Sequence, residues 1–186
     1  LDVSDISSIE KAVALAGPID VLVNNAGIGV MGALEGTTTN TIHDVFAVNV
    51  LGTINVTKAF LPMFRAQQSG VIINVSSAIT LVPLPLLSVY TASKAAINAF
   101  TESLAIESEQ FNIRVNLVLP GRAPATRFGE NSKYRMANAI PQPYAVFAQS
   151  VFKERNDNHI THPQDVISAI WQAANDSSSP LKILAG

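Results

Sequence analysis

Cysteine is absent from the 186-residue sequence, which excludes disulfides and thiolate metal sites and suits a reducing compartment. A cytoplasmic location is therefore expected. Charge is scarce as well. Charged residues make up 14% of the chain, the formal net charge is −2, and no basic run or aromatic-interleaved basic patch occurs. Neither nucleic acid nor a membrane is expected as a partner. His43, His159 and His162 stand at no metal-ligand spacing, so they read as surface or loop residues and no metal site is expected. No apolar run approaches the length of a membrane span, and no signal-peptide pattern is present. A Gly-x-Ser-x-Gly elbow is also missing, which argues against a serine hydrolase on an α/β sheet. Nor does the chain open with methionine: Leu1-Asp2-Val3 reads as the tail of a strand whose body lies elsewhere.

What is present is a globular composition, 48% hydrophobic, of a length that suits one domain with a sizeable core. Short β-branched runs alternate with helical periodicities. Ser4-Asp5 offers N-cap oxygens ahead of Ile6, Ile9, Val13 and Ala16, although Ser7-x-x-Glu10 is an alternative capping box. Gly17-Pro18 closes that helix, and Ile19-Asp20-Val21-Leu22-Val23 reads as a buried strand. A long, broadly apolar helix follows from Ile42 to Met63; Pro62 kinks or ends it unless the next residues restart it. Val71-Ile72-Ile73-Asn74-Val75 and Ile113-Arg114-Val115-Asn116-Leu117-Val118-Leu119 are further strands, flanking a helix over about 90–110. A last helix with a core face of Val166, Ile167, Ile170, Trp171 and Ala174 leads to a strand over 181–184. Such alternation predicts an α/β fold, a doubly wound parallel sheet. Residues 122–160, broken by prolines and rich in aromatics, are expected to be an irregular lid or substrate loop.

Chemistry gathers between Ser76 and Lys94. Tyr90 and Lys94 are one helical turn apart and share a face. A phenol titrates near ~10, too high to cycle near neutrality, but an ammonium about 5 Å away favours phenolate by roughly 3 kcal/mol. The pair is thus an acid/base device, and Ser77 ahead of it can hold a substrate oxygen. Asn49, mid-helix between Val48 and Val50, is either a structural hydrogen bonder or part of a relay. The run Gly27-Ile28-Gly29-Val30-Met31-Gly32 matches G-x-G-x-x-G, yet no helix opens directly after it and no acidic residue lies some ~20 positions on. It is not read as a dinucleotide fingerprint.

Asp2-Val3, Asn24-Asn25-Ala26-Gly27, Asn49, Ser77, Tyr90-x-x-x-Lys94 and Asn116-x-x-x-Pro120-Gly121 together closely resemble the short-chain dehydrogenase/reductase family. The order matches, and Ser77 precedes Tyr90 by the thirteen positions usual there. The resemblance implies a Rossmann-like fold and an NAD- or NADP-dependent oxidoreductase acting on a carbonyl or secondary alcohol. The greasy loops at 81–87 and 128–152 suggest that this substrate is medium-sized and apolar. By the same resemblance, Tyr90 is the general acid or base, and Lys94 lowers its pKa while holding the nicotinamide ribose. Ser77 bonds the substrate carbonyl, and Asn49 holds a relay water. Asp2 and Val3 reach the adenine end, Asn25, Ala26 and Gly27 line the cofactor, and Pro120 and Gly121 lie beside the nicotinamide. A homodimer or homotetramer through the helices at about 41–67 and 91–110 is also implied. The alanines 92, 95, 96 and 99 fit such an interface, or packing on the chain's own sheet. The family's opening strand and T-G-x-x-x-G-x-G loop are not in this sequence. The chain is thus expected to be a fragment lacking N-terminal strands, inactive in isolation. Thr80 and Leu86 stand where the family often has glycine, and its threonine after Pro-Gly is displaced by one residue, to Thr126. The alternative from another class is a catalytically silent nucleotide-binding or sensor protein on the same fold.

Overall fold

The valine- and isoleucine-rich runs become neighbouring parallel strands in the computed structural model, which describes residues 1–136, 139–154 and 160–186. Among the described residues the sheet has four strands, β1 (Val21–Asn24), β2 (Gly70–Val75), β3 (Ile113–Pro120) and β4 (Lys182–Ala185), in that spatial order. All pairings are parallel, with Val21 opposite Val71, Ile73 opposite Asn116 and Val118 opposite Ile183. Sequential parallel strands require crossovers, and helices supply them. α1 (Ile6–Ala16) precedes β1, and α4 (Ser88–Glu109) links β2 to β3. α7 (Pro163–Asn175) leads into β4.

Side-chain alternation along the strands splits the core in two. Leu22, Ile72 and Val115 pack with Ile9, Val56, Phe60, Phe64 and Leu104 on one face. Val71, Ile73 and Val118 meet Ala169 and Ala173 of α7 on the other. The α/β doubly wound arrangement is therefore as expected. α1 starts from the Asp5 cap, whose carboxylate accepts from Ser7 N at 2.9 Å, and Gly17 ends it at φ 62°.

Three expectations need correction. The long helix is continuous over Thr39–Gln67 but consists of α2 (Thr39–Phe46), a π-helical segment Ala47–Gly52, and α3 (Thr53–Gln67), which does not end at Pro62. It is 29 residues long and contains an 18-residue window of mean hydropathy 1.3, so by length and composition it is long and apolar enough to cross a membrane. No uninterrupted apolar run shows this in the sequence because polar residues are interspersed. Val45, Val56, Phe60 and Phe64 of this helix are buried in the protein's own core. On α7, Trp171 and Ile167 point outward, 70% and 55% exposed. The small side chains of Ala169 and Ala173 let that helix lie close to the sheet, so Val166, Ile170 and Ala174 pack and the bulky pair is turned away. Finally, the 122–160 segment is not wholly irregular: it holds α5 (Phe128–Ser132) and α6 (Ala145–Glu154). Residues 137–138 and 155–159, including His159, lie outside the described residues.

Candidate active site

β2 ends at Val75, and the next two residues are delivered to the C-terminal edge of the sheet, where open α/β folds bind ligands. Ser76 is buried and donates to Asn98 Oδ1 at 2.6 Å. Ser77 caps the short turn 78–80 by accepting from Ile79 N at 3.3 Å, and its hydroxyl lies 3.5 Å from the Pro120 carbonyl. α4 crosses above this edge and presents Tyr90, Lys94 and Asn98 on one face. Lys94 is 5% exposed, and its ammonium donates to the Val75 carbonyl at 2.9 Å. Structure and sequence thus agree on bringing Ser77, Tyr90 and Lys94 together.

Their electrostatics differ from the expectation. Burial pushes the Tyr90 phenol up to about 12, opposed by the Ser77 hydroxyl hydrogen-bonded to it. Burial also brings Lys94 down to about 8. The ammonium engages a carbonyl of β2, and desolvation of the phenol outweighs any attraction between the two groups. The phenol is therefore held in its protonated form and hydrogen-bonded with Ser77, beside a lysine brought down to about 8.

Asn49 is buried in the π-helical segment. Its amide donates to the Ile28 carbonyl at 2.9 Å and to Ser93 Oγ at 3.0 Å, and its oxygen accepts from Ile28 N at 2.8 Å. Ser93 in turn donates to the Tyr90 carbonyl at 2.7 Å. These bonds are those of a structural hydrogen bonder: the Asn49 side chain ties the Ile28 backbone to Ser93 on α4, beneath Tyr90. A Cβ added to Gly27 would lie 3.4 Å from both Asn49 Oδ1 and Lys94 Nζ, in ordinary contact, so Gly27 borders both groups.

Of the expected cofactor residues, Val3, Asn25 and Ala26 share one groove of about 410 Å³ along β1, together with Leu1, Leu22 and Thr53. Val3 also presses on Gly52, where a Cβ would come within 2.7 Å of its methyl. Asp2 is exposed, and its carboxylate accepts from Ser4 N at 2.9 Å and Ser4 Oγ at 2.7 Å, which holds its pKa low. Pro120 and Gly121 sit beside Ser77 at the end of β3. Gly121 is bare because Thr161 Oγ1 would stand 2.5 Å from a Cβ there. Thr126 spends its hydroxyl on the Ala123 carbonyl at 2.9 Å. Asn116 lies away from the site and bonds the Pro180 carbonyl at 3.0 Å. A larger groove of about 710 Å³ opens at the opposite end of the sheet, around Ser69, Asn112 and Ser177, and of the residues that carry the family resemblance it is lined by Asn116 alone.

Two residues escaped the sequence reading. Asn98 accepts from Ser76 and donates to Thr80 Oγ1 at 2.9 Å, while Thr80 donates to the Ser77 carbonyl at 2.8 Å. The backbone around Ser77 is thereby tied to α4. The signal was available: Asn98 is one turn beyond Lys94 on the same face. Phe128 is the other, its ring 5.7 Å from that of Tyr90 at 56°. Nothing in local sequence points from residue 128 to residue 90.

Comparison with known proteins agrees with this geometry. The pattern described as short chain dehydrogenase matches residues 1–135. An uncharacterized oxidoreductase of Schizosaccharomyces pombe is 38% identical over 195 residues, covering 100% of this chain and 80% of the yeast protein. A 3-ketodihydrosphingosine reductase of Bacteroides thetaiotaomicron is 33% identical, covering 96% and 67%. Among solved structures, a short-chain dehydrogenase from Streptomyces avermitilis superposes at TM-score 0.83 with 32% identity, covering 100% of this chain and 68% of that one. A short chain dehydrogenase/reductase from Burkholderia phymatum in complex with NAD gives 0.82 at 25% identity over 98% and 68%. A Burkholderia cenocepacia enzyme in complex with NADP gives 0.76 at 25% over 100% and 67%.

Proposed function

The chain belongs to the short chain dehydrogenase family, and from that premise we propose that it serves an NAD- or NADP-dependent oxidoreductase acting on a medium-sized, apolar carbonyl compound or secondary alcohol. The observation that carries this reading is the meeting of Ser77, a protonated Tyr90 and a buried Lys94 at the C-terminal edge of the sheet. The residues present suit a nicotinamide dinucleotide. The Val75 carbonyl accepts a hydrogen bond from one N–H of the Lys94 ammonium, which leaves two for the hydroxyls of a ribose. When bound, the dinucleotide supplies or accepts the hydride.

The protein's own contribution is position and proton transfer. Ser77 donates a hydrogen bond to the substrate oxygen and holds it next to the phenol. In reduction, Tyr90 gives its proton to that oxygen as the carbonyl becomes an alcohol; in oxidation its phenolate takes the alcohol proton. Lys94 stabilises the phenolate once it forms. Asn49 serves the relay by fixing the 27–28 backbone and, through Ser93, the start of α4. Asp2 and Val3 attend the adenine end, Asn25 and Ala26 line the groove, and Pro120 and Gly121 flank the nicotinamide. The apolar character of the substrate rests on Leu81, Val82, Leu84, Phe147 and Phe152, exposed in the loop at 81–87 and in the 122–160 segment that serves as the substrate loop.

Ala92, Ala95 and Ala99 are exposed on α4, whereas Ala96 packs inward. The outward row supports a homodimer or homotetramer through α3 and α4, with sedimentation velocity as the check; a monomer at micromolar concentration contradicts it. The cysteine-free sequence supports a cytoplasmic location, tested by cell fractionation. The central test of function is Tyr90→Phe in the whole protein. Turnover should fall by about 10³-fold while cofactor still binds, because the change removes one proton donor and little volume. Lys94→Ala should weaken both binding and rate. A Tyr90→Phe protein retaining more than a few per cent of the rate would contradict the assignment, and cofactor binding without turnover in the wild type would return the silent-sensor reading.

A further inference from the structure

The glycine run that fails as a dinucleotide fingerprint has another use in this fold. A Cβ on Gly29 would come within 2.9 Å of two ring atoms of Phe128 and of Ser132 Oγ. On Gly32 it would meet the Ala139 Cβ and, at 2.7 Å, the Ala139 carbonyl oxygen. On Gly36 it would be 2.7 Å from both that oxygen and Pro141 Cδ. Real Cβ atoms do not approach so closely, and at Gly32 and Gly36 the obstacle includes backbone, which cannot swing aside. Hydrogen bonds reinforce the contact: Ala33 N donates to the Ala139 carbonyl at 2.9 Å and Gly32 N to the Leu86 carbonyl at 2.8 Å. Leu86 itself is held at φ 63°, a left-handed conformation costly for a branched side chain, while its side chain is buried against Ala33 and Ala148 of α6.

We propose that Gly29, Gly32 and Gly36 form a seat that holds the segment carrying α5 down on the body of the protein, and that Phe128, so placed against Tyr90, is a specificity-determining residue favouring apolar carbonyl compounds. Its ring covers one side of the phenol, at 5.7 Å, and Gly29 leaves it the room to do so. A carbonyl that reaches the phenol must lay one substituent along that ring, which rewards an apolar group and leaves the hydration of a polar one unreplaced. The seat acts through Phe128, so loss of Gly29 and loss of Phe128 are the same event.

The specificity half rests on the oxidoreductase reading; the seat does not, and the test separates them. Tetranitromethane nitrates accessible phenolate, and peptide mass mapping reads Tyr90 alone, with N-acetyltyrosinamide in the same tube as standard. At pH 8, Phe128→Ala should speed Tyr90 nitration by about ten-fold, the phenolate gained for each pKa unit of desolvation relieved. Gly29→Ala should do the same, and the double variant should react no faster than either single one. Phe128→Leu, which keeps the fold and part of the cover, should fall between, so a misfolded Gly29→Ala protein, recognised by circular dichroism, leaves the test decisive. Unchanged nitration in Phe128→Ala and Phe128→Leu, or multiplicative effects in the double variant, overturns the seat. In the whole protein, Phe128→Ala should lower kcat/KM for 2-octanone about ten-fold more than for hydroxyacetone, as a lost apolar contact of this size predicts. Equal losses for both ketones overturn the specificity role, whereas absence of turnover in the wild type defeats the functional reading and leaves the nitration result standing.

Discussion

Tyr90 lies between two regions built by opposite means. Beneath it, the sheet and the helices on it are joined by buried side-chain amides and hydroxyls. Asn24 on β1 donates to Thr57 Oγ1 at 2.9 Å and to Asn74 Oδ1 on β2 at 2.8 Å, and Asn74 donates to Thr101 Oγ1 on α4 at 2.9 Å. Thr57 and Thr101 close the line by bonding carbonyls of their own helices at 2.7 and 2.6 Å. Above Tyr90, the segment around α5 and α6 rests on bare backbone, apolar contact and a backbone hydrogen bond from Ala33 N to the Ala139 carbonyl, with no side-chain amide line described across it, and Val146, Phe147 and Phe152 face outward. A buried polar network of this kind favours one arrangement, because a slip strands buried groups. Apolar contact on glycine tolerates small shifts and exchange of side chains. The contrast suits chemistry that must stay fixed below and a substrate choice that can vary above.

The comparison breaks most visibly at Asn74. Asn74→Ala should cost about 3 kcal/mol, since it leaves Asn24 and Thr101 short of a partner and opens a small cavity. Urea unfolding reads this directly; a loss under about 1 kcal/mol would mean that the amide line is ornamental. Next in size is the pH response of Lys94. Its folded pKa of about 8 lies below the ordinary lysine value of 10.5, so the unfolded chain binds more protons between those values and stability rises with pH there. Tyr90 works the other way, but only as pH passes from about 10 towards about 12. Stability should therefore gain about 2 kcal/mol from pH 8 to pH 10, and Lys94→Met should flatten the curve. A wild-type curve already flat over that interval would show that the ammonium is not desolvated.

Asn98 gives a smaller and sharper effect. Acting as a positioning residue for Ser77, it should lower kcat by about ten-fold when changed to Ala, with KM little altered. Because it acts through Ser77, the Ser77→Ala/Asn98→Ala protein should be no slower than Ser77→Ala alone; a further loss in the double variant would give Asn98 a separate role. Smallest of all is the outer surface of the upper region. Val146→Ser, at a residue 80% exposed, should move the unfolding midpoint by less than about 0.5 kcal/mol equivalent. A larger loss would mean that α6 is covered by a partner in the working protein.

Local pattern carried the fold and much of the candidate site, for a definite reason. Strands β2 and β3 are continuous β-branched runs, helices α1 and α4 have clear periodicity, and Tyr90 and Lys94 meet because helical geometry alone puts residues four apart on one face. Parallel order then follows from the crossovers, and it sends Ser77 to the same edge. Tertiary structure decided what depends on residues far apart in the chain. Asn49 became a clamp because Ile28 and Ser93 arrive beside it. Trp171 turned outward because Ala169 and Ala173 fit the sheet better. Gly29 was left bare for a phenylalanine ninety-nine residues later, and burial, not charge, set the phenol's proton affinity. Periodicity records which way a side chain points along its own element. Which atoms wait for it there, and whether water can reach them, is a property of the packed chain alone.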